Sequence, residues 1–449
     1  MLRGRRPSNL LIVSGAVLAA SVACASASPL KTNSTSTVTV DLRQQLQVWD
    51  GFGSSERVFS DPHVSRKGKP RSLVAPEAQS KILTLLYRRL GLTRVRVVLD
   101  PGIQSKRGGS FNFGGKLGED QIAFVKQARA FGLKTFFPGP VYLENWMTPQ
   151  DVGAYVDYAM TVLRYWRSNG LEPPLYAPLN EPQIARNFPA QWMHDVVVQL
   201  GRRLKAEGFK TKLVIPDDEN PVDAFRRAEA VLADPEARQY VAALAYHIYK
   251  GNESDWAKFK QLADRYRLRV WMTEYHARTF DTWPGAYAWA VKIHNLITTG
   301  GVSAIDYIWG FFGDWGDSYV QLQFDNNAVY TGYSLSPIYY LTGQWSRFVR
   351  PGYRRVGTSS ASGSVLTTAF RGPKRIAIVS LNTTSAPQTV AYRVVGGRLA
   401  KKAKVVGVQT SPTESWQALP RMRARAGSTF SSTLPGRSVT TFIVPLAKR

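Results

Sequence analysis

A repeated pattern of helix, glycine and apolar run constrains the fold of this chain more than any other feature. Stretches with helical spacing end at Gly91, Gly132, Gly170 and Gly208, and a short apolar run follows each of these glycines. The glycines lie 41, 38 and 38 residues apart, which leaves room for one strand, one helix and two loops. Glycine suits the left-handed position that ends a helix. The pattern therefore predicts repeated units of strand and helix.

The apolar runs are hydrophobic on both faces, which is typical of parallel strands that helices cover on both sides. Eight such runs occur before residue 310, with helical segments between most of them. They are GFGSS (51–55), RVRVVL (94–99), KTFFP (134–138), LYAPL (175–179), KLVIP (212–216), VAALAYH (241–247), RVWMT (269–273) and SAIDYIW (303–309). Eight strands that alternate with helices predict a (β/α)8 barrel of the TIM type.

The pattern changes after about residue 345, where alternating strands and turns replace the helices. This alternation predicts an appended all-β sandwich domain over 345–449. Residues 36–49 alternate in the same way, so we expect the segment over 28–48 to join the sandwich sheet. The catalytic barrel is accordingly predicted over 49–344. The shared N-terminal strand favours a sandwich that supports the barrel over a separate binding module.

The first 27 residues have the features of an export signal. Three arginines precede an apolar run over 10–23, which is too short to span a bilayer, and an Ala-Ser-Ala site follows. We expect cleavage after Ala27 and a secreted or periplasmic protein without a transmembrane segment. The Arg5-Arg6 pair leaves twin-arginine export open. Lipid attachment at Cys24, the only cysteine, is the less favoured alternative to its loss with the signal.

Composition places the 449-residue chain among globular proteins with a basic surface. Hydrophobic residues make up 44% and aromatic residues 12%, which excludes a largely disordered chain. The formal net charge is +26, but the basic residues are scattered and form no nucleic-acid module. A generally basic exported surface is the favoured interpretation. Contact with an anionic surface or polymer stays open, and no nucleic-acid partner is predicted.

Two glutamates occupy equivalent places directly after predicted barrel strands. Glu181 follows the fourth strand in YAPLNEPQ, and Glu274 follows the seventh in VWMTEYH. Reactive residues of such barrels cluster at the carboxyl ends of the strands. A buried ion pair is the alternative for either residue alone, but a facing pair indicates glycosidic bond cleavage. In that chemistry one carboxyl group, held protonated by its surroundings, donates a proton, and the other attacks the anomeric carbon or activates water.

Other strand ends carry polar and aromatic side chains that suit sugar binding, because aromatic faces stack on sugar rings and polar groups bind hydroxyls. Asn180 is placed to hold a hydroxyl beside the reaction centre. Arg96 has a barrel-interior ion pair as its alternative, and His247 has a satisfied core histidine. Trp309 and Trp315 are favoured as platforms for sugar rings.

Other chemistries find no support in the sequence. It contains no GxSxG, GxxxxGK[ST] or HExxH motif, and its five histidines do not fall at the spacing of metal ligands. No metal and no cofactor are therefore predicted.

Several motifs resemble glycoside hydrolase family 30, the clan-A family that includes glucosylceramidase-like proteins, β-1,6-glucanases and endo-xylanases. The resemblance covers nearly all of the mature chain. VWDGFGSS resembles the opening motif of the family, APLNEPQ its acid/base strand and VWMTEYH its nucleophile strand. The segment over 214–249 resembles the glucosylceramidase passage through the sixth strand. SPIYYLTGQWSRFVRPGYRRVG and LPGRSVTTFIV resemble the passage into the sandwich and its closing strand.

The resemblance implies a retaining mechanism with Glu181 as acid/base and Glu274 as nucleophile. Retention places the two carboxyl groups about 5–5.5 Å apart. The residues with implied sugar contacts are Arg96, Asn180, Trp146, His247, Tyr249 and Trp309.

The chain departs from the family pattern in the walls of the implied subsite. Val141 stands where the family carries a tryptophan, and Ile248 replaces an aromatic residue. Glucuronoxylan-specific members hold the uronate with an arginine beyond the eighth strand, whereas the segment over 310–324 offers Asp314 and Asp317 and no arginine. A β-linked glycan of neutral glucosyl or xylosyl type is therefore expected. The alternative is a carbohydrate-binding or surface-adhesive protein with weak or no catalysis on the same fold.

Overall fold

The structure is a computed structural model that describes residues 36–276, 279, 281–313, 318–400, 403–425 and 428–447. The predicted signal over 1–27 and the candidate Trp315 lie outside the described residues. Within the described part of the chain, every helix is too short or too polar to cross a bilayer. The described residues belong to one compact unit.

Strand β1 (Ser36–Val48) precedes eight parallel strands that form the predicted (β/α)8 barrel. The barrel strands are β2 (Gly51–Glu56), β3 (Arg94–Leu99), β4 (Thr135–Pro140), β5 (Leu175–Tyr176), β6 (Lys212–Asp218), β7 (Val241–His247), β8 (Arg269–Glu274) and β9 (Ala304–Ile308). Their order in the sheet is β4-β3-β2-β9-β8-β7-β6-β5. Backbone hydrogen bonds from Ala177 to Pro138 (3.2 Å) and from Asn180 to Pro140 (3.0 Å) close the sheet between β4 and β5.

Helices cover the outer face of the barrel, and apolar residues at helical spacing bury one side of each long helix against the strands. Trp192, Val196 and Leu200, for example, are fully or almost fully buried. The helices are α1 (Pro62–Ser65), α2 (Pro76–Leu83), α3 (Glu119–Phe131), α4 (Val152–Ser168), α5 (Ala190–Ala206), α6 (Pro221–Ala233), α7 (Pro235–Arg238), α8 (Glu253–Arg265), α9 (Trp283–Thr298) and α10 (Pro337–Ser346). A π-helical turn (Thr84–Arg89) extends α2, and a 3-10 turn (Gly115–Leu117) precedes α3.

Two further sheets complete the fold. A small sheet follows the barrel and contains β10 (Phe311–Gly313), β11 (Val320–Phe324) and β12 (Tyr330–Leu335). The strands after α10 are β13 (Arg354–Ser360), β14 (Val365–Arg371), β15 (Arg375–Asn382), β16 (Gln388–Val395), β17 (Lys404–Ser411), β18 (Glu414–Ala418), β19 (Met422–Arg423), β20 (Thr429–Leu434) and β21 (Val439–Pro445). They share one ten-stranded sheet with β1, which pairs with β13 and β16.

The ten-stranded sheet folds over a core of its own. Tyr392 on β16 and Phe430 on β20 contact Phe442 on β21, with ring centroids 4.9 and 5.3 Å apart. β21 lies far from β16 and β20 in the order of the sheet, so these contacts join two opposed layers. Two packed layers with an apolar interior form a β-sandwich, as the sequence predicts.

Buried hydrogen bonds join the sandwich to the barrel helices. The indole of Trp345 on α10 donates to Thr368 (3.0 Å), and the hydroxyl of Tyr287 on α9 donates to the carbonyl of Asn382 (2.6 Å). Such bonds are directional and shielded from water, which fits a sandwich that supports the barrel. The predicted boundary between residues 344 and 345 falls inside α10, and the domain limits stay predictions.

Candidate active site

The two candidate glutamates come together at the carboxyl ends of the barrel strands. Glu181 follows β5, and Glu274 is the last residue of β8. One carboxylate oxygen of each and a ring nitrogen of His247 all lie within 4.8 Å of one another. Glu181 has a backbone φ of 47°, a left-handed conformation that is costly for a residue with a side chain. The fold therefore accepts strain in order to hold this carboxylate in place.

The carboxylate of Glu274 receives two hydrogen bonds from the barrel. Arg96 Nη1 donates to Oε2 (2.7 Å), and the hydroxyl of Tyr249 donates to Oε1 (3.0 Å). Two hydrogen bonds to one carboxylate fix its orientation. The carboxylate nonetheless faces the cleft, since Glu274 retains 6% exposure.

Arg96 is the hub of the site and joins residues from three strand ends. Besides Glu274, its guanidinium donates to the side-chain carbonyl of Asn180 and to Asp217 Oδ2 (2.8 Å). Arg96 therefore forms the ion pair inside the barrel that was its alternative, and the same ion pair makes it part of the site. Asp217, at the end of β6, is a site residue that sequence reasoning missed. Its only signal is the position of Asp217-Asp218 directly after the apolar run KLVIP.

Asp217 is fully buried and charged. Burial alone would raise its pKa, but the charge of Arg96, the nearby imidazole of His247 and a hydrogen bond from Thr273 outweigh burial and lower the pKa far below its usual range. Its φ of 61° repeats the left-handed conformation of Glu181. The backbone carbonyl of Asp217 accepts from the amide of Glu181 (2.8 Å), so the two strained residues fix each other.

His247 lies beneath the two glutamates, and its surroundings favour the charged imidazolium form. Its Nδ1 is 2.9 Å from Glu181 Oε1, and its Nε2 is 3.4 Å from Asp217 Oδ1. Burial alone would lower the pKa of His247, but the charge of Glu274 and the contacts with Asp217 and Glu181 raise it to about 10.

The pKa of Glu181 moves in the opposite direction to that of His247. Burial alone would raise it, but the hydrogen bond and charge of His247 and the charge of Arg96 bring it below its usual value. Sequence reasoning expects one glutamate held protonated by its surroundings. In this arrangement the proton resides on the neighbouring imidazole, and Glu181 is ionised.

A cleft of about 470 Å³ opens above the two carboxylates. Trp309 forms part of its wall, and its ring stacks on Phe312 with 5.1 Å between the centroids. Val141 lines the cleft where the family carries a tryptophan, and Tyr142 and Ile184 at the rim are 60% and 58% exposed. Sequence reasoning missed these two rim residues, because only the shape of the loops brings them to the cleft.

Four of the residues singled out in the sequence do not line the cleft: Trp146, His247, Ile248 and Tyr249. His247 is fully buried and Tyr249 bonds Glu274, so both act on the glutamates instead of forming the cleft wall. The indole of Trp146 donates to the carbonyl of Gln104 (2.6 Å), and its ring meets Tyr158 edge-on. Trp146 therefore packs behind the cleft and does not line it. Ile248, which replaces an aromatic residue of the family, is buried.

Two clusters offer the oxygen and nitrogen atoms that a metal ion would need. They are Glu181 with His247 and Glu274, and Asp61 with His63 and Asp100. Cations of the protein already bind both. Arg96 bonds Glu274, whereas Arg57 bonds both aspartates of the second cluster and Lys116 lies 3.1 Å from Asp100. These donor sets therefore fit internal ion pairs better than a resident metal.

Known proteins resemble this chain in sequence over 65% of its length and in fold over 91% of it. No family model matches the chain. Glucuronoxylanase XynC of Bacillus subtilis (strain 168) is 25% identical over 299 residues, which are 65% of this chain and 66% of the relative. Putative glucosylceramidase 2 of Caenorhabditis elegans is 29% identical over 114 residues, 23% of this chain and 22% of that protein.

The fold has a close counterpart among solved structures. The crystal structure of a family 30 endoxylanase from Clostridium papyrosolvens C71 matches with a TM-score of 0.73 and 22% identity, over 91% of this chain and all of that chain. The agreement extends through barrel and sandwich together. This likeness confirms the predicted fold, and the sequence likeness to a glucuronoxylanase and to a glucosylceramidase supports the resemblance to glycoside hydrolase family 30.

Proposed function

We propose that the chain is an exported, retaining β-glycoside hydrolase that cleaves a neutral β-linked glycan of glucosyl or xylosyl type. The observation that carries the proposal is the approach of carboxylate oxygens of Glu181 and Glu274 to within 4.8 Å. Retaining enzymes hold their carboxyl groups about 5–5.5 Å apart, whereas inverting enzymes leave about 6.5–9.5 Å for a water molecule. The similarity to a glucuronoxylanase and to an endoxylanase structure supports the same chemistry.

The surroundings of the glutamates divide the two roles. Glu274, held by Arg96 and Tyr249, attacks the anomeric carbon and forms a glycosyl ester while the bond to the leaving oxygen breaks. Glu181 gives a proton to that oxygen. In the second half, Glu181 takes a proton from water, the water oxygen bonds to the anomeric carbon, and Glu274 is released as a carboxylate.

The proton for the first half is stored on His247, 2.9 Å from Glu181. Burial is the largest single influence on the pKa of Glu181, and it acts upward. A sugar that fills the cleft expels water and strengthens this influence. We infer that substrate binding moves the proton from Nδ1 of His247 to Glu181, which is then a competent acid.

The test is sugar release from a panel of β-glucans, xylans and β-galactans. Wild type is compared with Glu274→Gln and with Glu236→Gln, a control on a surface glutamate paired with Arg202. We expect release by wild type and by the control and none by Glu274→Gln. Release that persists in Glu274→Gln would contradict the assigned role. Retention of a glycan without cleavage by wild type would favour the carbohydrate-binding alternative.

A further inference from the structure

A second cleft, of about 570 Å³, lies at the opposite end of the barrel from the glutamates. Five of its lining residues are arginines, and we call it the arginine cleft: Arg88, Arg89, Arg347, Arg350 and Arg375. They come from the π-helical turn before β3, from the segment after α10 and from the start of β15. The cleft thus sits where the amino end of β3 meets the sandwich.

No residue that lines the arginine cleft carries a carboxylate. Within the described part of the chain, none of the five arginines forms an ion pair with a carboxylate. The neighbouring strands add further positive charge, because Arg354 and Arg371 are directly opposite each other in the pairing of β13 with β14. Like charges in such positions repel. The positive charge of this region is therefore unbalanced by the fold.

Uncharged groups hold several of these arginines in fixed positions. Arg350 Nη1 donates to the carbonyls of Gly91 (2.6 Å) and Ser346 (2.9 Å), and Arg375 Nε donates to the hydroxyl of Tyr353 (2.9 Å). Carbonyls and hydroxyls orient a guanidinium without cancelling its charge. These bonds therefore fix the positions of the guanidinium groups and leave their positive charge free to attract an anion.

Arg347 shows most clearly what the cleft lacks. Its guanidinium lies 3.9 Å from the ring centroid of Trp416, yet its Nη1 is buried with no hydrogen-bond partner among the described residues. A buried donor of a charged group that makes no bond is costly. Burial lowers the pKa of Arg347, and the like charge of Arg89 lowers it further. An anion in the cleft would supply the missing negative charge.

We propose that the arginine cleft binds a carboxylate-bearing polysaccharide. Guanidinium groups bind carboxylates through two parallel hydrogen bonds, and one acidic glycan strand presents carboxylates at repeated intervals to several separate arginines. The choice of a glycan over another polyanion rests on the proposed function, because an exported glycoside hydrolase meets such polymers together with its substrate. The site would hold the enzyme on the polymer without taking part in cleavage.

The experiment is affinity gel electrophoresis with polygalacturonate in the gel. Fully methyl-esterified polygalacturonate serves as the uncharged form of the same polymer. The test variant is Arg89→Gln/Arg347→Gln, and the control is Lys210→Gln/Arg393→Gln, which removes the same charge at exposed positions outside the cleft. Arg89→Gln alone, at an exposed position, covers the case in which the double variant does not fold.

We expect polygalacturonate, but not its methyl ester, to retard wild type and the control. The double variant should bind at least about tenfold more weakly, as the loss of even one charge-assisted hydrogen bond predicts. Equal binding by test and control variants would overturn the proposal. Retardation by duplex DNA that is as strong and is lost in the same variant would overturn the assignment to a glycan. Hydrolysis plays no part in the assay, so the outcome is independent of the roles of Glu181 and Glu274.

Discussion

The two ends of the barrel treat positive charge in opposite ways. At the carboxyl end, Arg96 is buried and paired with Glu274 and Asp217. At the amino end, Arg347 and Arg350 are held by aromatic rings and carbonyls, with no carboxylate in the cleft wall. The difference teaches how to interpret a buried cation. A paired arginine positions a reactive carboxylate, whereas an unpaired one is complementary to an anion that the ligand brings.

The largest expected effect concerns the reactive pair at the carboxyl end. Glu274→Gln removes the proposed nucleophile while keeping the size of the side chain, so kcat should fall by roughly 10³-fold or more. Initial rates on the best substrate of the panel measure this, with Glu236→Gln as control. A fall of less than about tenfold would show that Glu274 is not the nucleophile.

The next effect concerns the free energy of unfolding, which should depend strongly on the ion-paired Arg96 and only weakly on an arginine of the arginine cleft. Arg96→Gln leaves Glu274 and Asp217 buried without their cation, and removal of one partner of a buried pair costs about 3–5 kcal/mol. Urea unfolding of wild type and variant at neutral pH measures the change in the free energy of unfolding. A loss below about 1 kcal/mol would contradict the role of Arg96 as the hub of the site.

The matched change in the arginine cleft should leave the free energy of unfolding almost unchanged. Arg89→Gln removes one of five like charges at an exposed position, so stability should change by less than about 0.5 kcal/mol or rise at low salt. The same urea series measures it. A destabilisation as large as that of Arg96→Gln would show that the cleft is a structural network and not a prepared binding site.

The pH dependence of stability tests where the proton lies. The pKa of His247 is raised from 6.5 to about 10 in the folded protein. A raised pKa contributes stability that is complete below the unfolded value and is lost as pH rises through the folded one. The free energy of unfolding should therefore fall between pH 6.5 and about 10, and His247→Gln should flatten this fall. An equal fall in both proteins would contradict the assigned proton.

The same proton predicts a shift in the pH profile of activity. In the proposed mechanism the proton that Glu181 donates is held on His247, whose pKa is raised to about 10. The basic limb of kcat/KM should therefore lie near that value in wild type, and His247→Gln should move it to lower pH, because Glu181 must then hold the proton alone. A limb that stays in place or moves to higher pH would contradict the storage of the proton on His247.

Sequence reasoning reached the parts of the structure that local pattern controls. Apolar runs and helix-ending glycines gave the eight barrel strands, and strand-end positions indicated Glu181 and Glu274. Asp217 escaped because its role depends on contacts with Arg96 and His247 from other strands. The arginine cleft was out of reach for the same reason, since two of its arginines lie more than 250 positions before the other three and meet them only through packing.

Two further differences come from electrostatics and side-chain direction. The ionisation of Glu181 follows from the imidazole 2.9 Å away, a distance that no spacing in the sequence encodes. Trp146 was predicted to contact sugar, but its indole is drawn away from the cleft by the carbonyl of Gln104. Patterns indicate which elements meet at the barrel mouth, whereas packing decides which way each side chain points.

The central claim is that Glu181 and Glu274 act as a retaining pair, and the anomer released first tests it most directly. Proton NMR would follow the earliest product from the β-glycan that the enzyme cleaves fastest, before mutarotation equilibrates the sugar. The carboxylate separation predicts that the β-anomer appears first. Initial release of the α-anomer would contradict the double displacement and, with it, the role assigned to Glu274.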